Sequence, residues 1–176
     1  LAIIDLSTDA NQPMQAPSGR YTLVFNGEIY NFHQIRTQFK DYPFQSNSDT
    51  DVILAAYERW GADCLQHFNG MFALAIWDEL KQELFLARDR LGIKPLYWHL
   101  SDGQLIFASE VRAMLATGII PAKLNQAALP EYLQYYSVNA PRTLVAGIQQ
   151  LKAGHFATFR QGEWEEHRYW TISTAP

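Results

Sequence analysis

The sequence predicts an α+β domain in which strands and helices form separate layers. Apolar residues recur every second position in several runs between residues 71 and 108, and every third or fourth position around residues 31–39 and 48–60. Hydrophobic residues make up 48% of the 176 positions, which is enough for a substantial core. Because the predicted strands follow one another instead of alternating with helices, we expect mainly antiparallel sheets.

The N-terminal third carries two predicted strands and two predicted helices. Leu1–Asp5 reads as a buried strand, residues 11–19 as a surface loop and Tyr21–Asn26 as a second strand. Asn31–Phe39 is predicted to be a short amphipathic helix capped by Asn31. A second helix is expected to begin at Ser48-Asp49 and run through Trp60, because Gly61 follows it at the usual stop position.

The remaining chain predicts a meander, two helices and a closing hairpin. Pro130 should kink the last helix or separate its first turn, because proline lacks the N–H that a helix interior needs. The Asp-Gly pair at 102–103 is a hairpin signal. The predicted strands are Met71–Trp77, Glu83–Asp89, Leu96–Leu100, Gln104–Ala108, His155–Arg160 and Glu163–His167, and the predicted helices are Ser109–Ala116 and Asn125–Tyr136.

Charge and cysteine content exclude several classes of protein. The net charge is -4 and the basic residues form no run, so nucleic-acid and anionic-membrane partners are not expected. No apolar stretch approaches the ~20 residues of a membrane span. The single cysteine, Cys64, cannot form an intrachain disulfide, which agrees with a cytoplasmic location. The five histidines lack metal-ligand spacing, so no metal site is predicted.

Common phosphate-loop, dinucleotide, hydrolase-elbow and zinc-protease motifs are absent from the sequence. Polar residues instead cluster where apolar segments end. Asn26-Gly27-Glu28 follows a predicted strand, and Ser48-Asp49-Thr50-Asp51 begins a predicted helix. The charged residues Arg88, Asp89, Arg90 and Lys94 join two strands, and we interpret them as a solvated or ion-paired turn that serves structure or domain contact instead of catalysis.

Eight segments, in order along nearly the whole chain, resemble the class II glutamine amidotransferase domain, an N-terminal-nucleophile (Ntn) fold. The similarity is greatest to the glutaminase domain of glutamine-hydrolysing asparagine synthetases. The resemblance implies a four-layer αββα sandwich of two mainly antiparallel sheets. The segments are Leu1–Ser7, Val24–Asn31, Ser48–Ile53, Phe68–Asp78, Ala87–Trp98, Phe107–Ala113, Pro141–His155 and Arg168–Trp170.

The resemblance also implies a glutamine site. Asn26 and Gly27 match the family's oxyanion hole, so they are the predicted catalytic residues. Both are also predicted to bind substrate. Two further residues join them in that role: Glu28 lines the pocket, and Asp49 pairs with the substrate α-ammonium. Each of these residues also has a purely structural interpretation. Asn26-Gly27 could be a hairpin turn, Glu28 a solvated carboxylate and Asp49 a helix cap. Asp51 is interpreted as a first-turn charge alone. Four residues of the first strand complete the predicted substrate-binding set, namely Leu1, Ala2, Ile3 and Ile4.

One departure from the family pattern concerns the nucleophile. The family uses an N-terminal cysteine whose own α-amine acts as the base, whereas this sequence begins at Leu1. Cys64 is internal and is interpreted as a buried core thiol. We therefore expect residues 1–176 to be a partial domain, truncated at its N-terminus and inactive alone. An exposed edge beside Leu1–Asp5 would favour association, so a homodimer is among the expected partners.

The predicted function is hydrolysis of glutamine to glutamate, with ammonia passed on for ATP-dependent amidation of aspartate. The acceptor chemistry would belong to a synthetase domain after Pro176, which would also bind ATP and magnesium; this domain is predicted to need no cofactor. An alternative stays open. The chain could be a vestigial scaffold or a glutamine-binding module, as in a β-lactam-synthetase-like homologue.

Overall fold

A computed structural model describes residues 4, 5 and 7–173, and its strands form two antiparallel sheets. The larger sheet has the order β1-β2-β3-β4-β8-β9, and the smaller has the order β6-β5-β7. The strands are β1 Met14–Gln15, β2 Tyr21–Ile29, β3 Gly70–Asp78, β4 Glu83–Arg88, β5 Tyr97–Ser101, β6 Gln104–Ala108, β7 Gln149–Gln150, β8 His155–Arg160 and β9 Glu163–Arg168. The helices are α1 Phe32–Arg36, α2 Asp49–Trp60, α3 Cys64–His67, α4 Val111–Leu115 and α5 Leu129–Tyr135.

Three apolar clusters separate four layers. Side chains on one face of the larger sheet, such as Leu23 on β2, pack against α1 and α2. The opposite face meets the smaller sheet through residues such as Leu86 and Trp98. The far side of the smaller sheet packs on α4 through Met114. Because neighbouring strand residues point to opposite faces, each sheet serves two clusters. The predicted four-layer α+β sandwich is confirmed.

Strand β2 is longer than predicted, and this changes the setting of the Asn26-Gly27-Glu28 group. The strand continues to Ile29, and Gly27 lies opposite Phe72 of β3. A Cβ atom on Gly27 would lie 2.1 Å from the Met71 carbonyl oxygen, so only glycine permits the two strands to approach here. The hairpin-turn interpretation is therefore wrong, because the group lies inside a paired strand.

The first predicted helix is shorter than expected, and Asn31 does not cap it. Helix α1 spans Phe32–Arg36, and the Asn31 side chain accepts no hydrogen bond from its first turn. The Asn31 amide instead donates to the His67 carbonyl at 2.9 Å and accepts from the Asn69 N–H at 2.9 Å. Asn31 thus fastens the end of β2 to the segment before β3, a contact that local sequence could not predict.

The other predicted elements differ mainly at their ends. Helix α4 is Val111–Leu115, shorter than predicted. As Pro130 suggested, the last helix is divided, with a 3₁₀ turn at Gln126–Ala128 before α5. The closing hairpin is confirmed and extends the larger sheet beside β4.

At the N-terminus the structure differs from the sequence prediction. The predicted first strand falls partly on Leu1–Ile3, which lie outside the described residues, while Ile4 and Asp5 belong to no strand. The predicted loop at residues 11–19 contains the short strand β1, which pairs with β2.

Candidate active site

A narrow cleft lies where the end of β2 meets the first turn of α2. It brings together three of the predicted substrate-binding side chains and the backbone of Gly27. The cleft measures about 10 Å³, the space of roughly one water molecule. Its lining residues are Ile4, Asp5, Ala10, Gly27, Glu28, Ser48, Asp49 and Thr50.

Asp49 supplies a buried carboxylate to this cleft. It is only 5% exposed, and its Oδ2 atom accepts a hydrogen bond from the Ile29 N–H at 2.9 Å. Burial raises the pKa of Asp49 and the nearby Glu28 charge adds to the effect, while backbone N–H donors act in the opposite direction. The N-cap of α2 is Ser48, whose hydroxyl accepts from the Asp51 N–H at 3.4 Å. Asp49 therefore links the helix to the strand and is not the cap.

Asp51 has a structural role that its position in the first turn did not reveal. The residue is fully buried, and its Oδ2 accepts from the N–H groups of Gln45 and Ser46 at 2.6 and 2.8 Å. The interpretation of Asp51 as a mere first-turn charge is wrong. Because a buried carboxylate must be hydrogen-bonded, Asp51 holds the segment before α2 against the helix.

The Asn26 side chain lies outside this cleft and lines a neighbouring cavity. Its Nδ2 atom donates to the Ser109 hydroxyl at 3.0 Å. The side chain borders a cavity of about 200 Å³ between the two sheets, whose wall also includes Leu96 and Phe107. The Asn26 Oδ1 atom is buried and accepts no hydrogen bond from any residue that the structure describes.

The predicted site residues are thus partly brought together. Ile4, which is 41% exposed, lies in the cleft with Gly27, Glu28 and Asp49, whereas Asn26 borders the neighbouring cavity. Leu1, Ala2 and Ile3 lie outside the described residues. Sequence reasoning missed Ser109, although its segment was among those that carried the family resemblance. The structure identifies Ser109 through its contact with Asn26, which lies 83 residues away in the sequence.

A family model of the glutamine amidotransferase domain matches residues 1–170. The chain belongs to this family. An asparagine synthetase (glutamine-hydrolyzing) of Bacillus subtilis is 35% identical over 99% of this chain and 29% of its own length. An amidase of Gibberella zeae is 35% identical over 98% of this chain and 25% of its own length. The chain therefore spans under a third of these relatives.

The fold of this amidotransferase domain is also shared with a solved structure. Glutamine phosphoribosylpyrophosphate amidotransferase from Bacillus subtilis superposes with a TM-score of 0.69 over 94% of this chain and 33% of that chain, at 19% identity. At this identity the likeness supports the fold alone. It agrees with the two packed sheets described above.

The cysteine of this amidotransferase domain is buried, as predicted. Cys64 is 0% exposed and packs in the cluster beneath α2. Burial, together with the negative charge of Asp63, raises the pKa of the Cys64 thiol. Since the thiolate is the nucleophilic form, the buried Cys64 thiol is a poor nucleophile.

The charged segment between β4 and β5 of the amidotransferase domain is a buried junction. The structural role predicted for Arg88 and Asp89 is confirmed, but these two side chains are not solvated, because each is satisfied by backbone groups. Burial lowers the pKa of Arg88. Arg88 donates to the carbonyl oxygens of Gly92, Lys94 and Leu151. Asp89 accepts from the N–H groups of Phe72, Leu91, Ile93 and Lys94.

A larger cavity of the amidotransferase domain, about 630 Å³, lies beside α5 and contains none of the predicted site residues. Its Arg142 is paired with Glu131 at 2.8 Å, which leaves less charge to attract a ligand. We therefore place the candidate site in the smaller cleft, where Glu28 and Asp49 lie.

Within residues 4, 5 and 7–173, no helix has both the length and the apolar character to cross a bilayer.

Proposed function

We propose that this domain hydrolyses glutamine and that the cleft at Asp49 binds the amino-acid end of the substrate. The observation that carries the proposal is the buried Asp49 carboxylate, which lies beside Gly27 and Glu28 in a domain of the glutamine amidotransferase family. A carboxylate has about four acceptor sites, so Asp49 can keep its bond to Ile29 and still receive an ammonium group.

Substrate entry requires one wall of the cleft to move, because the present space of about 10 Å³ does not admit a glutamine. Gly27 and Glu28 are held by their pairing with β3, and Asp49 is held by helix α2. Ile4 and Asp5 belong to no strand or helix, and Asp5 is attached to the segment before α2 by one hydrogen bond, from the Asn47 N–H to its carboxylate at 2.9 Å. We infer that this segment is the wall that moves.

The chemistry proposed for the site is acyl transfer through a thioester. A thiolate attacks the carboxamide carbon, and the carbonyl oxygen becomes an oxyanion that accepts hydrogen bonds from the Gly27 N–H and the Asn26 amide. Collapse of this intermediate expels ammonia, which has taken up a proton. Water then attacks the thioester, releases glutamate and restores the thiol.

The nucleophile is proposed to be an N-terminal cysteine in the segment that precedes Leu1, with its α-amine as the base. Cys64 cannot take this role, because it is fully buried and its pKa is raised. A polypeptide of only these 176 residues is therefore expected to release no glutamate from glutamine.

The ammonia is proposed to pass to a synthetase domain of the same protein, which uses ATP and magnesium to amidate aspartate. Support comes from the relative of Bacillus subtilis named as a glutamine-hydrolyzing asparagine synthetase, which is more than three times as long as the region it shares with this chain. In this proposal ATP and magnesium bind in that second domain, and the cleft at Asp49 binds glutamine alone.

The test uses the full-length protein and its Asp49→Asn variant. The amide keeps the size of the side chain and can still accept from Ile29, but it has no charge for the ammonium. We expect KM for glutamine to rise at least tenfold, with little change in kcat and full synthesis from free ammonia. Asp41→Asn, an exposed change outside the cleft, is the control. An unchanged KM would refute the role of Asp49, and glutamine binding without any glutamate release would favour a vestigial domain.

A further inference from the structure

We propose that Ser109 is a positioning residue that orients the side-chain amide of Asn26 for the oxyanion. This inference rests on the proposed function, since it assigns a supporting group to the same reaction. It begins from one contact, in which the Asn26 Nδ2 atom donates to the Ser109 Oγ atom at 3.0 Å. Ser109 directly follows β6 of the smaller sheet, while Asn26 lies within β2 of the larger sheet.

The second observation concerns the opposite edge of the same amide. The Asn26 Oδ1 atom is buried, and no residue in the described part of the chain donates to it. An unsatisfied buried carbonyl normally costs free energy, so its presence marks a place where a partner is expected. An oxygen at this edge would repel an oxyanion, whereas an N–H there would bind it.

A serine hydroxyl resolves this conflict because it can both donate and accept. In the orientation described above, the hydroxyl accepts from Nδ2. When the amide turns over, the same hydroxyl donates to Oδ1, and Nδ2 is placed at the edge that lacked a partner. The second orientation is the one that Ser109 holds for the reaction, because its hydroxyl then bonds Oδ1 and leaves Nδ2 free to donate to the developing oxyanion. An alanine at position 109 would stabilise neither.

Two substitutions at position 109 can distinguish the hydrogen bond from side-chain packing. Asn26 and Ser109 both line the cavity of about 200 Å³ between the sheets. Ser109→Thr keeps the hydroxyl and adds one methyl group beside this cavity. Ser109→Ala removes only the hydroxyl. The pair of variants separates the hydrogen bond from the packing of the side chain.

The kinetic test measures glutamine hydrolysis by the full-length protein. Ser109→Ala should lower kcat about tenfold, the equivalent of one buried hydrogen bond, with KM for glutamine unchanged. Ser109→Thr should keep most of the activity. Ser101→Ala, which removes an exposed serine at the end of β5, is the matched control. A rise in KM, or an equal loss in Ser109→Thr, would overturn the inference.

A double-mutant cycle with Asn26→Ala identifies the partner through which Ser109 acts. If Ser109 acts through Asn26, adding Ser109→Ala to Asn26→Ala should cause no further loss of kcat. A full additional tenfold loss would overturn the inference. If Asn26→Ala itself leaves kcat unchanged, the oxyanion role in the proposed function fails as well. If Asn26→Ala lowers kcat and Ser109→Ala does not, only the present inference fails.

A measurement that does not depend on catalysis tests the contact between Asn26 and Ser109 directly. In an NMR spectrum of side-chain amides, the Asn26 resonances, assigned by their loss in Asn26→Ala, should shift in Ser109→Ala and stay near their original positions in Ser109→Thr and Ser101→Ala. Unshifted Asn26 resonances in Ser109→Ala would overturn the inference even if the protein proved inactive. Thermal melting of each variant shows that it is folded.

Discussion

Asn26 and Gly27 are neighbours in one strand, yet they contribute to the proposed site in different ways. The Asn26 side chain reaches the cavity between the sheets, while Gly27 faces the cleft beside Asp49. Gly27 has no side chain and contributes only its backbone, whereas Asn26 contributes a side-chain amide. A strand can therefore offer a side-chain donor and a backbone donor from adjacent positions.

Asn26→Ala tests the side-chain donor. We expect kcat for glutamine hydrolysis to fall about 10²–10³-fold with little change in KM, because the oxyanion exists only after attack on the substrate. Steady-state kinetics of the full-length protein measures both constants. Synthesis from free ammonia should continue at the original rate. A large rise in KM with an unchanged kcat would indicate ground-state binding instead.

The pH dependence of glutamine binding tests the ionisation of Asp49. Burial raises the pKa of this carboxyl, and only its ionised form attracts an ammonium. KM should therefore rise as the pH falls through that raised pKa, and Asp49→Asn should abolish this dependence. Because ionising a buried carboxylate opposes folding above its raised pKa, Asp49→Asn should melt at an equal or higher temperature at neutral pH. A lower melting temperature would contradict this account.

The close approach of strands β2 and β3 at Gly27 fixes the position of the Gly27 backbone in the cleft. Gly27 has a φ of +154°, and a Cβ there would meet backbone atoms of Met71 and Phe72 at 2.1 and 2.7 Å. These are atoms of a paired strand and cannot move independently. The position of the Gly27 backbone in the cleft thus depends on the absence of a side chain.

Gly27→Ala should destabilise the domain by about 3 kcal/mol, because overpacking against backbone forces the sheet to distort. Chemical denaturation measures the free energy of unfolding. Gly19→Ala is the control: Gly19 also has a positive φ, +72°, but nothing lies within 4 Å of its added Cβ, so only backbone strain of about 1 kcal/mol is expected. Equal losses for the two variants would show that close approach is not the cause.

For the whole molecule, the four-layer arrangement places the one cysteine in the core and the charged cleft at the edge of a sheet. Cys64 packs beneath α2 with the other residues of the largest apolar cluster. The thiol is thus separated from the cleft by the structure that positions Asp49. The proposed reaction therefore does not use this thiol.

Cys64→Ala should leave kcat and KM for glutamine unchanged in the full-length protein, since this thiol takes no part in the reaction. In the native state a thiol reagent such as dithionitrobenzoate should not modify Cys64 of the 176-residue chain, and modification should follow unfolding by denaturant. Loss of glutamine hydrolysis in Cys64→Ala, with normal melting, would instead identify Cys64 as the nucleophile.

The sequence alone determined the type and order of most elements, because hydrophobic periodicity reports directly on strands and helices. It also determined the family, since eight segments matched in order. It also predicted a set of glutamine-site residues, of which Gly27, Glu28 and Asp49 lie in one cleft and Asn26 lines the neighbouring cavity.

Only the tertiary structure decided how polar side chains are paired. Asp51 and Asn31 bind backbone groups outside their own helices, and Ser109 meets Asn26 across 83 residues. The length of β2 depends in the same way on its partner β3. Local propensity carries no information about such distant partners. Hydrogen bonds between distant segments form only when the packed core brings them together, so their pattern was decided by the fold.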